Sequence, residues 1–141
     1  MEEYEYLENF DTEELIGIVR EMLDFEETTK ALLILTERDM KGALELGKDI
    51  IINDKGDDHL QATVWDFLFF ENQEDMLEAV EAREKDPGKT LLDDVIVDLS
   101  DHKVNISNRL LKRLTDTYMS IDSEDKRNMY CDFEAFCRQY I

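Results

Sequence analysis

Apolar residues recur at intervals of three and four along almost the whole chain, and only one proline, Pro87, interrupts it. That period places the apolar set on one face of an α-helix, whereas a half-buried strand would need strict alternation. The five glycines, Gly17, Gly42, Gly47, Gly56 and Gly88, are never closely spaced, so the turns a sheet requires are scarce. The pattern predicts an all-α chain of about eight short antiparallel helices. At 141 residues it is expected to form one domain that buries roughly 68% of its unfolded surface.

Start signals divide the chain. In Phe10-Asp11-Thr12-Glu13-Glu14-Leu15, Asp11 and Glu14 form a capping box and Phe10 can staple onto Leu15. The stripe then runs through Ile16, Val19, Met22 and Leu23. A second helix from about residue 26 carries Ala31, Leu32, Ile34 and Leu35, and Thr36 is expected to cap a third with Met40, Ala43, Leu44, Gly47, Ile50 and Ile51. Residues 53–58 read as a solvated loop. Asp58 with Gln61 predicts a capping box for a fourth helix containing Leu60, Val64, Trp65, Leu68 and Phe69. Asn72 is expected to cap a fifth with Met76, Leu77, Ala79 and Val80, and Thr90 with Asp93 to open a sixth through Leu91, Leu92, Val95, Ile96 and Leu99. A seventh holds Leu110, Leu111, Leu114 and Tyr118, and an eighth Met129, Tyr130, Phe133, Phe136, Cys137 and Tyr140.

A weak internal repeat runs through this pattern. Leu32 to Met40, with Ala43, Leu44 and Glu45, lines up with Leu68 to Met76, with Ala79, Val80 and Glu81. Tight turns at Thr36 and Asn72 alternate with looser connections at 53–58 and 86–89. The expected helix pairs span about 26–53, 58–86 and 90–119, with capping helices at 11–24 and 123–140. On these residues the chain resembles the HEAT-like family of helix-pair repeats, which implies a short curved α-solenoid. It lacks the proline and the Asp/Arg ladder of well-formed HEAT repeats, so an irregular helical bundle stays open as the alternative.

Charge bounds the function. Thirty-six Asp and Glu against 16 Lys and Arg leave a formal net charge of −20. Phosphate recognition rests on Lys and Arg, so direct nucleic-acid binding and docking on an anionic membrane are disfavoured, while a basic protein would be attracted. No apolar run approaches the ~20 residues of a membrane span, and the start, Met1-Glu2-Glu3-Tyr4-Glu5, is acidic where an export signal would be basic. With Cys131 and Cys137 six apart and no export signal, reduced thiols and a cytoplasmic location are expected.

Catalytic machinery is not visible. His59 and His102 have no second histidine at helical spacing, and there is no CxxC, so no metal is expected. The 53–58 loop fails as a calcium loop, because with Gly56 at its sixth position Ile51 and Lys55 would occupy ligand positions. Ser100, Asp101 and His102 are adjacent, whereas a triad is assembled from distant segments. Asp94 and Asp98 share a helical face, read here as solvated. No cofactor and no small-molecule substrate are expected.

The remaining reading is an acidic binding protein. In general character the chain resembles the helical immunity proteins of bacterial contact-dependent and polymorphic toxin systems, some of them HEAT-like. The resemblance implies direct neutralisation of a basic, nuclease-type toxin. The alternatives are a HEAT-like adaptor for another protein, an acidic mimic of nucleic acid, and, last, a carboxylate-dependent enzyme. The binding face is expected on the second helix of each pair, at Glu37, Glu45, Asp49, Glu74, Glu78 and Glu81. Phe67 and Phe70, with Glu71, would supply an apolar anchor rimmed by acid.

Overall fold

The structure, a computed structural model, describes residues 4–141; residues 1–3, where the acidic start begins, lie outside the described residues. A 3-10 turn, Glu5–Asn9, leads into eight α-helices: α1 (Thr12–Glu21), α2 (Phe25–Arg38), α3 (Met40–Ile52), α4 (Asp58–Leu68), α5 (Gln73–Ala82), α6 (Lys89–Asp101), α7 (Asn108–Ser120) and α8 (Ser123–Tyr140). There is no strand among the described residues.

Helices pack both on their neighbours in sequence and on those two places along. α2 packs on α4, α4 on α6 and α6 on α8, while α3 packs on α5 and α5 on α7. This order of contacts is compatible with a short solenoid and with a bundle. The apolar stripes meet between the rows: Leu91, Leu92, Val95, Ile96 and Leu99 of α6 are all fully buried, and Trp65 stacks on Phe69 with ring centroids 4.4 Å apart. Each such aliphatic side chain contributes roughly 1.5–3 kcal/mol on burial. At Gly47 α3 approaches α4 so closely that a Cβ there would press on the side chains of Leu68 and Val64.

The capping box at the first helix is present. Asp11 accepts from the Glu14 amide at 2.8 Å, and Glu14 accepts from the Asp11 amide at 3.1 Å. Other starts differ from expectation. Thr36 does not cap α3: α2 continues to Arg38, the Thr36 hydroxyl donates to the Leu33 carbonyl, and Asp39 accepts from the Gly42 amide. Asp57, not Asp58, caps α4 by accepting from the Leu60 amide at 2.8 Å. Asn72 occupies the N-cap position of α5, but its side-chain amide donates back to the Leu68 carbonyl instead of capping. α6 begins at Lys89, ahead of Thr90, so Thr90 and Asp93 do not form its cap. Leu23 leaves the predicted stripe because the chain turns into the left-handed region at Met22 (φ 51°), and it stands exposed.

The 53–58 loop is not merely solvated, because Arg83, buried to 3% exposure, reaches into it. Its guanidinium donates to the Ile51 carbonyl (2.7 Å), the Gln61 side chain (2.8 Å) and Asp54 (3.1 Å). Gln61 in turn donates to Asp54 at 2.9 Å. The burial of a cation is thereby matched by partners on three sides. Arg113 of α7 does related work at the end of α5, donating to the carbonyls of Val80, Glu81 and Arg83, which the helix itself leaves unpaired. These two arginines fix the orientation of α5.

Candidate protein-docking face

α5 turns its apolar residues Met76, Leu77, Ala79 and Val80 inward. Glu74, Glu78 and Glu81, spaced four and three apart, therefore fall in one stripe on its outer side. Opposite them runs a non-helical segment, 102–107, between α6 and α7. The two enclose an open groove of about 530 Å³, with acids on the α5 wall and Leu77, Val104, Ile106 and Leu110 in its lining. Ser107 closes one end by donating to Glu81 while it caps α7 through the Leu110 amide. Lys103 is the cation of this lining.

A second, shallower depression of about 410 Å³ shares Gln73 and Glu74 with the groove and adds Phe70 and Glu71. Phe70 is 55% exposed and meets the His102 ring edge-on at 5.1 Å. Five of the residues expected at a binding face, Phe70, Glu71, Glu74, Glu78 and Glu81, thus form one continuous surface. The other four do not line it. Glu37 and Glu45 are exposed elsewhere on α2 and α3, and Phe67 is half-buried against the core. Asp49 is engaged by Lys55 at 2.5 Å and by Asn53, contacts that hold its carboxyl below the usual range despite some burial.

The charge is distributed unevenly. From residue 56 to 82 there is no Lys or Arg, while Asp57, Asp58, Asp66, Glu71, Glu74, Asp75, Glu78 and Glu81 all lie there. Between Lys89 and Lys103, α6 adds Asp93, Asp94, Asp98 and Asp101. Where α4 meets α6, Asp66 and Asp94 share a hydrogen bond. The Asp94 carboxyl is pushed up to about 7, first by burial, then by Asp66, with Asp98 and Asp58 adding repulsion. Burial and neighbouring carboxylates Asp132 and Asp94 raise Asp93 as well. Asp98, raised by burial, is partly relieved by the Trp65 indole N–H, which donates to it at 2.7 Å. The reading of Asp94 and Asp98 as a simple solvated face is therefore corrected: both are half-buried and Asp94 is electrostatically strained. Sequence alone shows the helical spacing of Asp94 and Asp98, but Asp66 joins them only through the packing of α4 on α6.

Other chemistry is sparse. Among the described residues no group of three or more His, Cys, Asp or Glu side chains is arranged to hold a metal ion. His59 stacks on Phe25 at 4.7 Å, Ser100 donates to the Val97 carbonyl, and Cys131 and Cys137 are free thiols. No helix among the described residues is long and apolar enough to cross a membrane. Comparison of the chain with known protein families, curated proteins and solved structures gave no match.

Proposed function

We propose that this chain is a stoichiometric binding protein that captures a basic protein partner, and that the partner is a nuclease-type toxin domain which it neutralises as an immunity protein. The observation that supports this most is that Phe70, Glu71, Glu74, Glu78 and Glu81, from a run (56–82) without Lys or Arg, line one continuous surface in which Lys103 is the one cation among the described residues. An apolar contact rimmed by charge is the composition of a binding hot spot. Complementary charge accelerates encounter, up to about 10⁸–10⁹ M⁻¹s⁻¹ at low salt, which suits a protein that must reach a toxin before the toxin acts.

The test begins with the gene's neighbourhood. A toxin-like reading frame ending in a basic domain should lie beside it, and co-expression of that domain should stop growth unless this chain is present. A one-to-one complex by size-exclusion chromatography is the expected result. A neighbouring basic domain whose toxicity persists at equal expression of this chain would overturn the proposal.

A further inference from the structure

Three polar contacts tie α4 to α6, and each involves a carboxyl group. Asp58 accepts from the backbone amides of Thr90 and Leu91, the Trp65 indole N–H donates to Asp98 at 2.7 Å, and Asp66 hydrogen-bonds to Asp94. The first two pair an N–H donor with an acceptor, so they form with the acid ionised. The third cannot. An ionised carboxylate only accepts, and two carboxyls share a hydrogen bond only while one of them keeps a proton.

The surroundings offer no cation to take the place of that proton. Acting on Asp94 are Asp66 and Asp58 from α4 and Asp98 from its own helix. Asp93 faces Asp132 of α8, while Asp98 lies near Asp101 and His102. Among the described residues no Lys or Arg forms an ion pair with Asp66, Asp93, Asp94 or Asp98. No other helix packed on α4 or α6 brings a charged group to Asp66 or Asp94 among those residues. Burial and like charge both disfavour ionising the second member of such a pair. Both carboxyls are accordingly raised, by burial first, and Asp94 reaches about 7.

We propose that the α4–α6 seam is a proton-dependent clasp: one proton held between Asp66 and Asp94 closes it, and loss of that proton sets two carboxylates against each other and opens the seam locally at Trp65. Trp65 reports the opening. It is the only tryptophan, is fully buried, stacks on Phe69 and donates to Asp98, four residues beyond Asp94. The clasp does not depend on the identity of any partner.

The experiment uses the full chain, isotope-labelled for NMR and titrated from pH 5 to pH 8.5. The carboxyl carbons of Asp66 and Asp94 should shift with one common midpoint, since a strongly interacting pair titrates as a unit. Exchange of the Trp65 indole N–H with water, corrected for its intrinsic pH dependence, should quicken about tenfold or more between pH 6 and pH 8 as the seam opens. In Asp94→Asn an amide donor keeps the hydrogen bond at every pH, so the corrected exchange should stay slow and level. Asp66→Asn should lower the Asp94 midpoint by about one pH unit or more, because the like charge is gone. His102→Gln should leave the midpoint and the exchange step in place. Should a variant fail to fold by circular dichroism, the titration of the parent chain still decides. Separate midpoints in the ordinary carboxylate range for Asp66 and Asp94 would overturn the clasp, as would level indole exchange while the pair titrates. An Asp94 midpoint unchanged by Asp66→Asn would do the same. So would an exchange step that persists in Asp94→Asn or vanishes in His102→Gln, which would assign it to the histidine.

Discussion

Asp58, at the start of α4, caps α6: its two carboxylate oxygens accept from the backbone amides of Thr90 (2.7 Å) and Leu91 (3.0 Å). The acid is 32 residues away from the helix start it serves, and its charge lies at the positive end of the α6 dipole. Gly88 makes room for it, since a Cβ at that position would sit 2.5 Å from the Asp58 carboxyl carbon.

Asp58→Ala should therefore destabilise the fold by about 0.5–2 kcal/mol, the cost of a lost N-cap. Gly88→Ala should cost a similar amount, because the cap must move aside. The two changes share one contact, so the double variant should cost clearly less than their sum. Urea unfolding of the three variants measures this directly; strict additivity would show that Gly88 is not making room for the carboxylate.

Arg83→Ala should be among the most damaging single changes, at about 3 kcal/mol or more, since it strands the Gln61 side chain and the Ile51 carbonyl in a buried position. Arg83→Lys should recover little of this, because an ammonium cannot reproduce the forked contacts to Ile51, Gln61, Asp54 and the Lys85 carbonyl. A Tm for Arg83→Lys close to that of the parent would contradict the account.

The Asp94 carboxyl gives stability a distinctive pH dependence. Its folded value of about 7 lies above its ordinary 3.8, so between these limits the folded chain holds a proton the unfolded chain has lost. The contribution of Asp94 to stability thus falls as pH rises from about 4 to about 7 and is level beyond. Asp54 acts in the opposite sense: lowered mainly by the hydrogen bond from Gln61 and also by Arg83, it stabilises above the usual carboxylate range and loses this as acid is added. Asp94→Asn should flatten the decline towards neutral pH. It should raise stability at pH 8 on the order of 1 kcal/mol, a modest figure because water screens the half-exposed pair. Thermal melts from pH 4 to pH 8 test it, and equal Tm differences at both ends would refute the assignment to Asp94.

Reversing charge on the docking face should slow capture of a basic partner. Glu74→Lys with Glu78→Lys should reduce the association rate about tenfold or more at low salt, with the gap narrowing as salt shortens the screening length to about 8 Å and below. Glu37→Lys with Glu45→Lys, outside the continuous surface, should change it less. Stopped-flow kinetics at two salt concentrations distinguish the pairs.

Much of the helical plan could be read from residue order, since a stripe at three and four needs no knowledge of neighbours. The inward sets of α5 and α6 are those the spacing named, and the Asp11–Glu14 box is local chemistry within one turn. The misplaced caps of α4 and α6 share a cause: Asp57 and Asp58 are equivalent in sequence, and only the arrival of α6 beside α4 claims Asp58 for Thr90 and Leu91.

What the sequence alone determined is the helical class, most of the core stripes, the surplus of acid and the stretch that lacks a cation. Tertiary packing decided which acids meet. It brought Asp66 to Asp94, buried Arg83 against Gln61 and set Glu74 and Glu78 across a groove from Asn105. The physical reason is range. Helix periodicity is set by contacts three and four residues apart, whereas the energy of a charge depends on whichever groups other helices place within a few ångströms, and chain order does not encode that distance.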